Sequence, residues 1–165
     1  MSQVYKKGYN RIDLLGCPID ALNMHETISV IEDAIVNKQQ IHHVVINGAK
    51  FVNMRKDSQL KEAIFDCDLI NADGQSIVTA ANFLGKYIPE RVAGIDLMDN
   101  LVKLSFEKGY KIFFLGANGV IVKNVVDFYT KKYSSNIIAG FQDGYFKSED
   151  EEQIANKIAK SEADI

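Results

Sequence analysis

The chain has 165 residues, of which 47% are hydrophobic, 25% charged and 10% aromatic, the make-up of one ordinary globular domain with a core of its own. Nineteen Lys and Arg stand against 22 Asp and Glu, a formal charge of -3 with no single-sign run beyond the acidic stretch 149–152, so there is no field for steering onto nucleic acid or an anionic leaflet. Cys17 and Cys67 lie far apart with no His or Cys at ligand spacing, which argues against a disulfide scaffold and a structural zinc site, and no run of about 18 apolar residues is present to span a bilayer.

The first eight residues lack the apolar segment of a secretory signal, and two reduced thiols in a cytoplasmic protein are the expectation. Residues 12–16 read as a short strand. Asn23-x-x-Glu26 then has the form of a capping box, followed by Met24, Ile28, Ile31 and Ile35 at helical spacing. His43–Asn47 is an apolar run suited to a strand buried on both faces. Helices are predicted over 49–55 and 58–65, a strand over 68–71, and a helix over 74–84 after an Asp-Gly turn. Asp96 reads as the cap of a helix carrying Leu97, Leu101 and Leu104 on one face, stopped by Gly109.

Residues 111–116 form the clearest strand, followed by a helix over about 120–133 and a strand over 136–139. A Gly-rich loop over 140–146 leads to a helix opened by Ser148-x-x-Glu151, again a capping box, and residues 163–165 begin another strand. Strands alternating with helices of 10 to 15 residues predict an α/β fold, a mostly parallel Rossmann-like sheet with helices on both faces. A domain seldom stops at the start of a strand, so the chain is expected to be part of a longer protein.

In such a sheet the chemistry lies in the loops after the strands. Here these are Asn47-Gly48-Ala49, Asn71-Ala72-Asp73-Gly74-Gln75, Gly116–Gly119 and Gly140–Tyr145, each pairing small residues with an Asn or Asp able to hydrogen-bond a sugar or ribose. Asp73 is either a general base facing a crevice or a helix cap, and Asn47 either a ligand-binding amide or a turn residue. Arg91, in Pro89–Asp96, is either a diphosphate-binding fork or half of a surface ion pair with Glu90 or Asp96. Gly94 and Asp96 suit an anion- or ribose-binding turn, and Gly116-x-x-Gly119 a short phosphate cradle. Asp66-Cys67-Asp68 imitates a metal-binding Asp-x-Asp pair but falls at the strand's entry, where a structural role fits better; His25, His42 and His43 have no metal-site spacing. Phe113-Phe114 and Phe128-Tyr129 read as core pairs.

Taken in order, Val45-Ile46-Asn47, Cys67–Gly74 ending in Asp73-Gly74, Arg91-Val92-Ala93-Gly94-Ile95-Asp96, Phe113–Gly116 and Asp143-Gly144-Tyr145-Phe146 resemble the WecG/TagA/CpsF glycosyltransferase family, and the resemblance covers nearly the whole chain. It is similar above all to the family's wall teichoic acid enzymes. The resemblance implies an inverting, metal-independent transfer of N-acetylmannosamine from a UDP donor to undecaprenyl-diphosphate-linked N-acetylglucosamine, with no cofactor. Asp73 would be the base that deprotonates the acceptor hydroxyl and Arg91 the cation that stabilises the departing UDP. Asn47 and Gly74 would line the pocket, Gly94 and Asp96 would shape it, and Gly116, Asp143 and Gly144 would contribute to the sugar-nucleotide site.

Val45 stands where family members often carry Thr and offers no hydroxyl. The family continues past this chain's last residue, so residues 1–165 are expected to be a single catalytic core lacking a C-terminal membrane-engaging segment. The implied partners are the UDP-sugar, the lipid-linked acceptor, the cytoplasmic face of the membrane and a second copy of the chain. Two alternatives stay open: a related transferase using another UDP-sugar, and a non-catalytic nucleotide-binding domain.

Overall fold

The computed structural model describes residues 9–165, which divide into two compact units at Met98. In the first, β1 (Arg11–Leu14) and β2 (Cys17–Asp20) form an antiparallel hairpin with Ile12 opposite Ile19. Leu15 and Gly16 both sit at positive φ (51° and 83°), as a two-residue hairpin turn requires. The sequence reading of one strand over 12–16 thus ran through the turn and missed β2. Pro18, which breaks the apolar pattern, is accommodated in this short hairpin strand opposite Asp13.

Helix α1 (Met24–Val36) opens with the predicted capping box, Asn23 Oδ1 accepting from the Glu26 N–H and Glu26 Oε2 from the Asn23 N–H. Its buried face is Thr27, Val30, Ile31 and Ala34, rotated from the predicted stripe. The rotation has a polar cause: the Thr27 hydroxyl accepts a bond from the buried Asn71 amide while donating to the Asn23 carbonyl.

Strands β3 (His43–Ile46) and β4 (Leu69–Ala72) pair in parallel, with Val45 opposite Asn71 and Ile46 opposite Ala72. All of β4 is buried, whereas β3 is only half-buried until Ile46, which corrects the expectation of a strand covered on both faces. Helices α2 (Gly48–Asn53), α3 (Ser58–Phe65) and α4 (Gln75–Phe83) follow close to their predicted positions. Ile46, Ile64, Ile70, Ala72, Ile77, Val78, Ala81 and Ile88 pack with the hairpin's Ile12, Leu14 and Ile19 into one core.

Helix α5 (Gly94–Lys108) starts three residues earlier than expected. Asp96 therefore lies inside the first turn, where a carboxylate favours the positive end of the helix dipole, and is not the cap. In the second unit, β5 (Ile112–Leu115) and β6 (Ile138–Gln142) pair in parallel with an irregularity at Ile112/Phe113, and α6 (Gly119–Lys132) packs over them. Val102, Ile112, Phe114, Val122, Val126, Tyr129 and Ile137 form its core, with the Phe114 and Tyr129 rings stacked at 5.8 Å. Phe128, read as core, is 56% exposed and meets Tyr129 edge-on.

Three further details of the second unit differ from the sequence reading. Ser135–Ile137 is a 3-10 turn, so the strand starts later and carries Gly140 within it. A side chain there would stand 2.7 Å from the Phe113 ring, so glycine is demanded by sheet packing rather than by a loop. Ser148–Asp150 is also a 3-10 turn; α7 (Glu151–Lys160) begins after it with no side-chain cap, so the second capping box does not form. Residues 163–165 do lie along β5 as a strand would, the Ile165 N–H bonding Lys111 O and the Phe113 N–H bonding Ile165 O. Among the described residues no helix is long and apolar enough to cross a membrane.

Candidate active site

The parallel pairing of β3 with β4 brings two strand ends side by side. The Asp73 N–H continues the ladder to Ile46 O at 2.9 Å, and on the other side of β4 the Val92 N–H bonds Ala72 O at 2.8 Å. Asn47-Gly48, Asp73-Gly74 and Gly94 are thereby gathered at one place. Small residues make this approach possible. A Cβ on Gly94 would stand 3.3 Å from Val45 Cγ2 and 4.0 Å from Asp73 Oδ2, and one on Gly74 would stand 3.7 Å from the Asn47 Cα.

Most polar side chains offered by the sequence as site candidates are engaged within the fold. Asn47 caps α2, its Oδ1 accepting from the Lys50 N–H at 2.9 Å. Asn118 caps α6 in the same way through the Ile121 N–H. Asp143 Oδ1 accepts from the Tyr145 N–H and Oδ2 from the Gln142 amide, an Asx turn. Arg91 Nη2 lies 3.6 Å from Asp96 Oδ2, with both side chains about half exposed. An exposed pair of that length stabilises by less than about 1 kcal/mol and holds the guanidinium only loosely.

Asp73 is different. The N-cap of α4 is Gly74, with no side-chain capping bond, so the carboxylate does not serve the helix start behind it. No hydrogen bond or ion pair of the Asp73 side chain exists among the described residues. A half-buried carboxylate beside three glycines and an arginine-bearing loop can take a proton from a bound hydroxyl.

Two residues at this site escaped the sequence reading. Lys50 turns back from α2 and donates to the Val45 carbonyl at 3.0 Å, tying the end of β3 to the helix that Asn47 caps. Ser76 places its hydroxyl against Gly48 and Gly74. A Lys or Ser one turn into a helix carries no signal of its own in a single sequence.

Gly116, Asp143 and Gly144 converge in the second unit. The Gly144 N–H bonds Ala117 O at 2.9 Å, and a Cβ on Gly144 would stand 3.0 Å from the Gly116 Cα. Gly116 adopts φ 141°, open only to glycine, and the α6 N-terminus begins just beyond it. Cys67, Asp66 and Asp68 are structural, as expected: Asp66 ends α3, and Asp68 Oδ2 accepts from the His42 N–H ahead of β3.

His43 lies at the opposite end of β3 from Asn47. Its Nε2 meets Asn71 Oδ1 at 2.9 Å, and burial lowers its pKa below the ordinary imidazole value despite that bond. Since the Asn71 amide nitrogen donates to Thr27, its oxygen faces His43, and the neutral ring therefore carries its proton on Nε2. Both cysteines are free, and burial pushes the Cys17 thiol up to about 11.

The model of the WecG/TagA/CpsF family of glycosyl transferases matches residues 12–165. The chain belongs to that family. Among curated proteins it is similar to the N-acetylglucosaminyldiphosphoundecaprenol N-acetyl-beta-D-mannosaminyltransferase of Bacillus spizizenii, 32% identical over 113 residues, covering 68% of this chain and 42% of that protein. The protein of the same name from Staphylococcus aureus is 29% identical over 143 residues, covering 86% of this chain and 56% of its own. The chain spans about half the length of the curated relatives it matches.

Proposed function

We propose that the protein supplies the catalytic core of a transferase that moves N-acetylmannosamine from UDP-N-acetylmannosamine to N-acetylglucosamine linked through a diphosphate to undecaprenol. The names of the two relatives supply the transferred sugar and the lipid-linked acceptor, membership of the family supplies the UDP donor, and the uncommitted carboxylate of Asp73 carries the mechanism. Asp73 removes the proton from the acceptor hydroxyl as its oxygen attacks the anomeric carbon of the donor. The bond between that carbon and the UDP oxygen breaks from the opposite face, so configuration inverts. The electron pair leaves on the diphosphate, whose growing charge Arg91 offsets after giving up its loose pairing with Asp96.

Within the first unit, Asn47 and Gly74 line the pocket of this scheme and Gly94 and Asp96 shape it; within the second, the Gly116 and Asp143-Gly144 turns are assigned to sugar-nucleotide binding. The parallel pairs β3–β4 and β5–β6 support the Rossmann-like sheet expected from the alternation. For a lipid-linked acceptor and a nucleotide-sugar donor, the proposed reaction runs at the cytoplasmic face of the membrane.

The test is UDP release from UDP-N-acetylmannosamine with a short-chain lipid-diphosphate N-acetylglucosamine, in EDTA, for wild type and Asp73→Asn. Acceptor-dependent release that survives EDTA and falls at least about 100-fold in the variant is the expected result, the size of a lost general base. A variant as active as wild type refutes the assignment of Asp73, and ligand binding without any release reduces the protein to a nucleotide-binding domain.

A further inference from the structure

Ser76 is an exposed residue in the first turn of α4, three positions after Asp73. Its hydroxyl lies where a Cβ on Gly74 would meet it at 3.3 Å and a Cβ on Gly48 at 3.6 Å. It therefore stands over the bare backbone of two glycines from two different strand-end turns. Among the described residues this hydroxyl makes no hydrogen bond.

We propose that Ser76 is a sugar-binding residue of this site, its hydroxyl bonded to a hydroxyl of a hexose ring seated beside Asp73. The inference rests on the transferase reading above and names a group that binds the substrate there. Three residues whose side chains differ in hydrogen-bonding capacity belong to the turns at this strand end, each against one of its glycines. The Asp73 carboxylate only accepts, the Asn47 amide nitrogen donates while its oxygen accepts from the Lys50 N–H, and the Ser76 hydroxyl does both. Sugar hydroxyls, which each give and take a bond, match such a mixed set. A phosphate wants donors throughout and would be repelled by the neighbouring carboxylate. The glycines at 48 and 74 leave a surface without side chains on which a ring can lie.

The hexose is that of the donor or of the acceptor, and the two are separated by titrating the 165-residue chain calorimetrically with UDP, with UDP-N-acetylmannosamine, and with a short-chain prenyl-diphosphate N-acetylglucosamine. Ser76→Ala is expected to weaken one of the two sugar ligands about 3- to 10-fold, the worth of one hydrogen bond, while leaving UDP unchanged. Ser76→Thr, which keeps the hydroxyl, is expected to bind as wild type. The thermal midpoint of Ser76→Ala should not fall, since the residue is exposed and alanine favours the helix. Wild-type affinity of Ser76→Ala for both sugar ligands overturns the inference, as does an equal loss for UDP, which would mean that the hydroxyl meets the nucleotide. If wild type binds UDP but neither sugar ligand, the inference and the transferase reading fall together, whereas a silent Ser76→Ala beside a wild type that binds them sinks Ser76 alone.

Discussion

Asp20 is fully buried on β2, and everything around it converges on its two oxygens. Arg11 donates to both, through Nε at 2.7 Å and Nη2 at 2.8 Å, and the Ile70 N–H of β4 donates to Oδ2 at 2.7 Å. Asp20→Ala strips the Ile70 N–H of its acceptor inside a strand that is buried from end to end, a loss of about 1–3 kcal/mol. The guanidinium side loses less, because Arg11 is 36% exposed and keeps its bond to Asp68 O. A total near 3 kcal/mol follows, the lower end for a broken buried pair, and corresponds to a midpoint drop of roughly 6–12 °C. Arg11→Met should cost at least as much although the arginine is the more exposed partner, because it leaves a fully buried carboxylate with a single donor. The double variant should cost clearly less than the sum. Urea titrations followed by far-UV circular dichroism measure all four proteins. An Asp20→Ala chain within about 1 kcal/mol of wild type, or strictly additive costs, would refute the claim that this carboxylate clamps the hairpin to β4.

Gly94→Ala should change stability by less than about 1 kcal/mol, since Gly94 is not at positive φ and Val45 Cγ2, 3.3 Å from the new methyl, is a side-chain tip that can turn aside. The same methyl comes into ordinary contact with Asp73 Oδ2 at 4.0 Å and takes up space beside the carboxylate where a hydroxyl would bind, so turnover should drop by about 100-fold in the UDP-release assay, the loss expected when a substrate is displaced by about 1 Å. Wild-type turnover would show that nothing reacts beside Gly94. His43, whose folded pKa is lowered by burial, binds its proton less readily in the fold than in the unfolded chain, so its contribution is full above about pH 6.5 and is lost as pH falls from there toward the lowered value. Urea midpoints between pH 8 and pH 5 should therefore fall less steeply in His43→Gln than in wild type, and identical slopes would count against the assignment.

The backbone was legible in the sequence wherever a local signal and the tertiary environment agreed. The α1 box at Asn23 and Glu26 formed because both partners lie within one turn, and the Gly109 stop, at φ 80°, needed only the absence of a Cβ. The signals that failed had outside competitors. Ser148 and Glu151 had the box spacing, yet a 3-10 turn occupies 148–150. Gly140 looked like loop chemistry, but its smallness answers the Phe113 ring on the neighbouring strand, a partner 27 positions away. Ile28 and Ile35 had helical spacing, but Thr27 took the buried position because Asn71 needed an acceptor there. Long-range demands of this kind leave no trace in local periodicity.

The site obeys the same distinction. Asn47, Asn118, Asp143 and Asp73 all follow strands and looked alike in sequence, since an Asn or Asp at such a junction serves a cap as readily as a ligand. The fold separates them by what each side chain already does. Asn47 and Asn118 spend an oxygen on a helix start, and Asp143 spends both on its own turn. At Asp73 the cap position has shifted one residue on, to Gly74, which has no side chain to fill it. The carboxylate is thereby released from the helix, whose start has no side-chain cap among the described residues. A glycine cap leaves the Asp73 carboxylate reachable and costs the helix only about a few tenths of a kcal/mol against a capping side chain. Of these four residues only Asp73 keeps its side chain uncommitted among the described residues, and that is the ground on which the proposed chemistry is assigned to it.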